Sequence, residues 1–507
     1  MDFSLSTEQR ELKEAVAAFA RAKLNQDLAK REEAGEFSLE AWQACARFGI
    51  QGLPVPAELG GGGSDILTTV LVMESLGYGC HDNGLIFSLN AQMWSLQLPV
   101  LKFGTRAQQQ AYLPGLMSGD LIGVHAMTEP DSGSDAFAMR TRAERQGDDY
   151  VLNGTKLYIT NAPVSDVVLV FALDPGQPKL TGISAFLVEK GTPGFTVTRS
   201  LEKMGLRTSP MGEIVLADCL VPATSLLGPE GAGMAIFNSS MAWERSCIMA
   251  SALGAMQRQL EACVSYARMR KQFGQAIGKF QSVANKVADM YLRLEAARLL
   301  IYQTAWLGQQ GRPAVAEAAA AKLFTSEAWV ASSLDAVQIH GAFGYMKESG
   351  IERDLRDAVG STIYSGTSEI QRVILASAVG VMQRQLEECV AYGRARKQFG
   401  QPIGKFQAVA GKVADMYLRL EAARLLIYQA AWLGQQGKPA LAEAAAAKLF
   451  TSEAWVTSSL DAIQVHGAFG YMKESGIERD LRDAVASTIY SGTSEIQRVI
   501  LARLLGL

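Results

Sequence analysis

Residues 126–135 read Ala126-Met127-Thr128-Glu129-Pro130-Asp131-Ser132-Gly133-Ser134-Asp135, and the texture of the chain changes around them. Ahead of them apolar residues recur at helical spacing. Ser6 and Gln9 form a capping-box pattern followed by Leu12, Val16 and Phe19, and further helices are expected over Leu39–Phe48, Ile66–Leu76 and Ala107–Met117. Gly60–Gly63 interrupts that run as a loop. Behind residues 126–135 come short β-rich runs: Tyr150–Leu152, Lys156–Thr160, Val167–Leu173, Ile183–Val188, Phe195–Leu201 and Ile214–Leu220. Asn153-Gly154 lies between the first two of these runs and is expected as a hairpin turn. After Gly228-Pro229-Glu230-Gly231 the chain returns to long helices rich in alanine and leucine. The opening stretch therefore heads a small β domain set between helical regions. By composition alone it is an ordinary polar turn, although its amides and hydroxyls can hold an anion or the polar edge of a ring.

The long helical end is written twice. Residues 250–375 and 376–501 align without gaps at an offset of 126, with about 110 of the 126 positions identical. Met256-Gln257-Arg258-Gln259-Leu260 returns as Met382-Gln383-Arg384-Gln385-Leu386. The differences are mostly mild, such as Val315/Leu441, Ile339/Val465 and Arg312/Lys438, so both copies are expected to fold. Two copies of this length are too few for a solenoid. The seam is expected within a helix.

Composition narrows the chemistry. Hydrophobic residues make up 48% and charged residues 20% of the 507, which is the balance of a core-forming chain of several domains. A net charge of −3 gives no electrostatic reason for nucleic acid or an anionic membrane as partner. Cys45, Cys80, Cys219, Cys247, Cys263 and Cys389 form no CxxC pair and suit reduced thiols, and four histidines argue against a multi-histidine metal site. The start, Met1-Asp2-Phe3-Ser4, lacks a secretion-signal pattern, and a cytoplasmic location is expected.

The stretch 126–135 is followed, in order, by Tyr158-Ile159-Thr160-Asn161, Lys203-Met204-Gly205, Arg270-Lys271-Gln272-Phe273-Gly274, Gln338-Ile339-His340-Gly341 and Ile363-Tyr364-Ser365-Gly366-Thr367. Each alone is weak; the ordered set resembles the acyl-CoA dehydrogenase family over residues 1–381, and again over 376–507 for its C-terminal third. The resemblance implies a mainly α chain with a middle β domain: an N-terminal helical domain (1–121), a small barrel-like β domain (122–230), a four-helix bundle (231–375) and a duplicated bundle (376–507). It implies FAD as cofactor and no metal. Met127, Thr128, Ser134, Tyr158 and Thr160 would then face the flavin or its pyrophosphate. Arg270, Gln272, Phe273, Gln338 and Gly341 would meet the ADP half, an office that a neighbouring subunit's bundle fills in the family, and Thr367 is a further cofactor contact. Their repeats are Arg396, Gln398, Phe399, Gln464 and Gly467. The family's second glycine in that turn is replaced by Ala342 and Ala468.

Removing hydrogen from the α,β carbons of a thioester needs a base for the α-proton, a hydride acceptor opposite it and donors for the polarised carbonyl. Many relatives place a glutamate in Tyr-Glu-Gly-Thr, but here Ser365 and its repeat Ser491 stand there, and serine without an activating partner is no base at neutral pH. A minority carry the glutamate on the bundle's first long helix before an arginine. Trp243-Glu244-Arg245 matches, so Glu244 is expected as base and Arg245 as its neighbour, with the Ser365 amide left as a carbonyl donor. A solvated helix glutamate is the bland alternative. His340 and His466 suit structural roles near the cofactor, Arg353-Asp354 and Arg356-Asp357 suit ion pairs, and Cys247 suits packing.

The expected substrate is an acyl-CoA or acyl-carrier-protein thioester, and the expected electron acceptor an electron-transfer flavoprotein. An oxidase returning electrons to O₂ and a catalytically silent binding protein are the alternatives. The second copy has no counterpart of Glu244, since the offset pairs Glu244 with Ile370. It is expected to stand where a partner's bundle would, making an in-chain pseudo-dimer, or else to recruit another protein or exchange between chains; a homo-oligomer remains compatible with each.

Overall fold

A computed structural model of the chain describes residues 5–178, 181–312, 314–372, 384–489 and 493–506. The expected seam at 376 and Ser491 fall outside these. The molecule divides into two compact units, Glu11–Ser251 and Ala252–Leu507, the latter counted with Met1–Arg10.

Helices open the chain: α1 (Thr7–Lys23), α2 (Leu28–Ala34), α3 (Leu39–Phe48), α4 (Ile66–Gly79), α5 (Asn83–Gln92), α6 (Leu98–Phe103) and α7 (Arg106–Ser118). Side-chain caps explain several starts. Ser38 accepts from the Ala41 amide, Asp65 from Thr68, and Thr105 forms a full capping box with Gln108. The expected box at Ser6 and Gln9 also forms, with both reciprocal bonds present. Met93–Gln97 is a π turn inserted between α5 and α6, a departure from regular helix that re-aims the side chains it carries.

The sheet has seven strands: β1 (Gly123–Ala126), β2 (Arg142–Gln146), β3 (Asp149–Thr160), β4 (Val167–Leu173), β5 (Ile183–Glu189), β6 (Phe195–Ser200) and β7 (Met211–Pro222). The order is β1-β4-β2-β3-β7-β6, with β5 also paired to β4. Strand periodicity sends alternate residues of β4 to opposite faces. Val168, Val170 and Ala172 join Leu152, Ile214 and Leu216 in one core. Val167, Leu169 and Phe171 join Leu96, Val100, Leu116 and Ile236 of the helices in another.

Asn153-Gly154 is not the expected hairpin turn. β3 runs through it, and the β2–β3 hairpin turns at Gly147-Asp148, with Gln146 opposite Asp149. The register of β3 on β7 shifts between Leu152 and Gly154. Asn153 fixes this bulge by accepting from the Asp218 amide at 2.8 Å, and a Cβ on Gly154 would lie 2.4 Å from Thr141 Oγ1. The pair therefore serves a close backbone approach within the sheet.

α8 (Gly233–Cys247) ends the first unit's fold. The bundles then follow, with α9 (Ala250–Met269), α10 (Gln281–Gln309), α11 (Val315–His340), α12 (Ala342–Tyr345) and α13 (Ile351–Ser361) in the first copy. The second contains α14 (Arg384–Ala395), α15 (Gln407–Gln435), α16 (Leu441–His466), α17 (Ala468–Tyr471), α18 (Ile477–Ser487) and α19 (Ser494–Leu504). Both copies fold, with α10 and α15 of 29 residues and α11 and α16 of 26. Among the described residues no helix is long and apolar enough to cross a membrane.

Candidate functional site

Glu244 lies in the last turn of α8 and is buried. A buried carboxylate needs partners. Ser95 supplies one: its Oγ donates to Glu244 Oε2 at 2.5 Å. The serine comes from the π turn, whose Trp94 stacks on Trp243 with ring centroids 6.3 Å apart. The sequence reading missed Ser95, because no motif marks a serine whose direction is set by a local change in helix type. Arg245 follows, its Nε buried without a hydrogen-bond partner in the structure. Burial pulls its pKa down and the Glu244 charge opposes that. Cys247 is buried, and burial alone pushes its thiol well up, which suits packing and not a thiolate.

The opening motif forms a second group in the same unit. The Leu157 amide donates to the Thr128 carbonyl at 2.9 Å, so the segment after β1 runs beside the end of β3. A register shift between Lys156 and Ile159 and a φ of 60° at Tyr158 turn that ring outward, leaving it 60% exposed. Met127, Thr128, Tyr158 and Thr160 are thus brought to one edge, with Met127 buried and Thr128 and Thr160 half-buried. Ser134 is exposed farther along the loop, which Ser132 ties down by donating to the Asp135 carbonyl at 2.7 Å.

Beneath this edge lies an ion pair. Lys156 is fully buried, with Nζ 2.8 Å from Glu129 Oε1 and 3.1 Å from the Met127 carbonyl. Glu129 also accepts from the Arg140 and Thr141 amides at 2.6 and 3.0 Å. Burial pulls the lysine down to about 8 against the carboxylate's attraction. Burial acts to raise the Glu129 pKa, but Lys156 and the donated bonds outweigh it and hold it low. A buried pair satisfied on every side fixes geometry more than it adds stability, and what it fixes is the backbone of Met127 and Thr128.

The bundle elements belong to the other unit. Arg270 and Gln272 are exposed around the hairpin Lys271–Gln272/Gln275–Ala276, and Phe273, at φ 48°, is 93% exposed. The Tyr266 and His340 rings pack at a tilt with centroids 4.3 Å apart, which brings the end of α9 to the end of α11, where Gln338 and Gly341 are exposed. The second copy repeats this with Arg396, Gln398, Phe399 (93% exposed), Gln464 and Gly467, and a tilted Tyr392–His466 ring pair at 4.3 Å. Gly341 has φ 60° and ψ −139°, Gly467 φ 62° and ψ −141°, a conformation that requires glycine. Ala342 and Ala468 start short helices there and leave that conformation undisturbed. His340 and His466 are buried with Nδ1 2.9 Å from the Ala336 and Ala462 carbonyls.

Ser365 has φ 56°, and its carbonyl accepts from Gln371 Nε2 at 3.0 Å. Thr367 Oγ1 accepts from the Ile370 amide at 3.4 Å, a capping contact. Asp354 pairs with Arg258 at 3.1 Å, and Arg356 with Glu352 one turn away at 2.6 Å.

The donor set fits a flavin dinucleotide. A neutral edge of main-chain groups, hydroxyls and one outward aromatic ring suits the ring system, and an exposed arginine beside a positive-φ glycine turn suits an anionic diphosphate.

Comparison with known proteins gives three family matches. The profile "Acyl-CoA dehydrogenase, N-terminal domain" matches residues 6–120, "Acyl-CoA dehydrogenase, middle domain" 125–219, and "Acyl-CoA dehydrogenase, C-terminal domain" both 231–379 and 372–506. The L-prolyl-[peptidyl-carrier protein] dehydrogenase of Serratia sp. (strain ATCC 39006) is 42% identical over 381 residues, 75% of this chain and 99% of the relative. The solved prolyl acyl carrier protein oxidase AnaB is 47% identical with a TM-score of 0.73, covering 75% of this chain and all of its own. The acyl-CoA dehydrogenase complexed with FAD from Bacillus anthracis is 26% identical with a TM-score of 0.87, covering 99% of this chain and 95% of its own. A chain of this full extent, second bundle included, thus has a solved counterpart.

Proposed function

The chain belongs to the acyl-CoA dehydrogenase family, and from that premise we propose that it is an FAD-dependent oxidoreductase that dehydrogenates an acyl thioester, with Glu244 as the base. The observation that carries this reading is the buried Glu244 carboxylate held by Ser95. The Cα–H bond breaks with its proton passing to Glu244, the β-hydrogen leaves with its electron pair, and a double bond forms between the two carbons. Bound FAD supplies the acceptor for that hydride. Arg245 offers an unpartnered donor next to the base. Met127, Thr128, Ser134, Tyr158 and Thr160 hold the flavin side, and Lys156 is a positioning residue for the first two. Arg270, Gln272, Phe273, Gln338, Gly341 and Thr367, or their repeats, grip the ADP half. The electrons then pass to an electron-transfer flavoprotein.

The substrate in this reading is a prolyl thioester on a carrier protein. Its support is the naming of relatives at 40 to 47% identity as prolyl-carrier-protein dehydrogenases or oxidases. Anaerobic titration of the flavin spectrum with prolyl-carrier protein, free proline and short acyl-CoAs tests it. Bleaching by the carrier-bound proline ahead of the others is expected, and bleaching by acyl-CoA alone rejects the prolyl assignment. The oxidase named among the relatives favours a second reading, in which O₂ takes the electrons. Peroxide formed in air in proportion to substrate consumed selects it.

A further inference from the structure

Several contacts between the two bundles come in reciprocal pairs. Arg372 of the first copy places Nε 2.9 Å from Asp415 of the second, and Nη2 2.9 Å from Glu327 of its own copy. Arg498 of the second copy places Nε 2.9 Å from Asp289 of the first, and Nη2 2.9 Å from its own Glu453. Each residue of the second set is its counterpart in the first displaced by 126. Two tyrosines repeat the exchange: burial raises the pKa of both Tyr291 and Tyr417, with Glu443 adding to the first and Glu317 to the second. Phe324 meets its own counterpart Phe450, ring centroids 6.0 Å apart.

Contacts of i with j′ and of j with i′, plus one residue facing its own equivalent, are the signature of a twofold, isologous interface. Asp289, Tyr291, Glu317, Phe324, Glu327 and Arg372 are all identical to their repeats, although other positions of the copies have diverged. The face is therefore self-complementary. It also leaves both hairpin ends uncovered, since Phe273 and Phe399 are equally exposed.

We infer that this face of the first bundle is a dimerisation surface whose fitting partner is a second copy of the same bundle, and that the duplicated segment occupies it within one chain. The pairing is closed in cis, so a bundle pair carries one base and one flavin-binding sheet, where two separate chains joined through the face would carry two of each. Covalent linkage raises the local concentration of the second bundle to roughly the millimolar range, enough to outcompete free chains. This does not depend on the proposed substrate or base.

The test uses the full-length protein with Phe324→Cys and Phe450→Cys together, treated with a short bismaleimide. The six native cysteines are buried, and wild type is the control. Crosslinked product with the mass of one chain is expected. Product with the mass of two chains overturns closure in cis and assigns the face to an exchange between chains. Failure to crosslink, while both single variants react with a monofunctional maleimide, overturns the face itself. Should the cysteines destabilise the fold, Arg372→Asp and Asp415→Arg give a second measurement. Each alone lowers Tm and the double variant recovers most of the loss; additive losses overturn the pairing.

Discussion

The two bundles carry nearly the same side chains and experience different surroundings. Trp329 is 3% exposed, whereas its repeat Trp455 is 37% exposed; Ile301 is fully buried, whereas Ile427 is exposed. Lys322 is fully buried, whereas its repeat Lys448 is half-buried. Since the residues are the same, the difference is not one of propensity or hydrophobicity. A side chain contributes burial energy only where neighbours remove it from water, so one sequence has been put to two uses. The hairpin ends, by contrast, are alike in both copies, because their geometry is set by local backbone conformation.

The proposed base breaks the comparison most sharply, because Glu244 ahead of the first copy corresponds to Ile370 ahead of the second. Glu244→Gln should retain FAD yet slow flavin bleaching by roughly 10²–10⁴-fold, the usual share of a positioned base; stopped-flow reduction measures it, and an unaltered rate removes Glu244 from the mechanism. Next in size is the tryptophan pair. Trp329→Ala should cost about 3–5 kcal/mol of stability, and Trp455→Ala less than about half of that, by denaturant unfolding. Equal losses would mean that the two faces are equally covered in solution. Smaller again is the split between arginines. Loss of one charge-assisted bond is worth about 1.5–3 kcal/mol, so either Arg270→Ala or Arg396→Ala should weaken FAD retention by roughly 10–100-fold while the other leaves it unchanged. Equilibrium dialysis against FAD reads which copy grips the cofactor, and equal loss in both would end the idea of a single donor.

The smallest effect sets the sheet apart from both bundles. His125 is half-buried, its ring packed against Phe171 and Phe237, and that burial, reinforced by Lys156, pulls its pKa to about 4. A folded value below the ordinary 6.5 means that the unfolded chain binds the proton more readily. The contribution is whole above about pH 6.5 and is lost as pH falls towards 4. Unfolding followed over that range should show the loss in wild type and a flatter profile in His125→Phe; parallel profiles would exclude this histidine as the cause.

Much of this was legible in the chain. The change of period at residues 122–126 and the strand run Val167–Leu173 were readable, since alternation and helical spacing are local properties. The ordered motifs from Thr128 to Thr367 carried the family, and the serine at 365 is what led to the expectation of Glu244 as base. Asn153-Gly154 was misread because a turn dipeptide and a bulge have the same local preferences, and only the strands on either side choose between them. Ser95 was invisible, since its role depends on a helix packed against it 149 residues later in sequence.

The sequence by itself determined that one helical segment occurs twice, which residues carry hydrogen-bonding and charge chemistry, and which family pattern they follow, because these are read from identity and spacing along the chain. Tertiary structure alone decided that Glu244 is buried on a serine, that Lys156 braces the Met127 backbone, and that the repeats face one another about a twofold axis. Burial, charge pairing and symmetry are relations between residues far apart in sequence, and they exist only once the chain has brought those residues together.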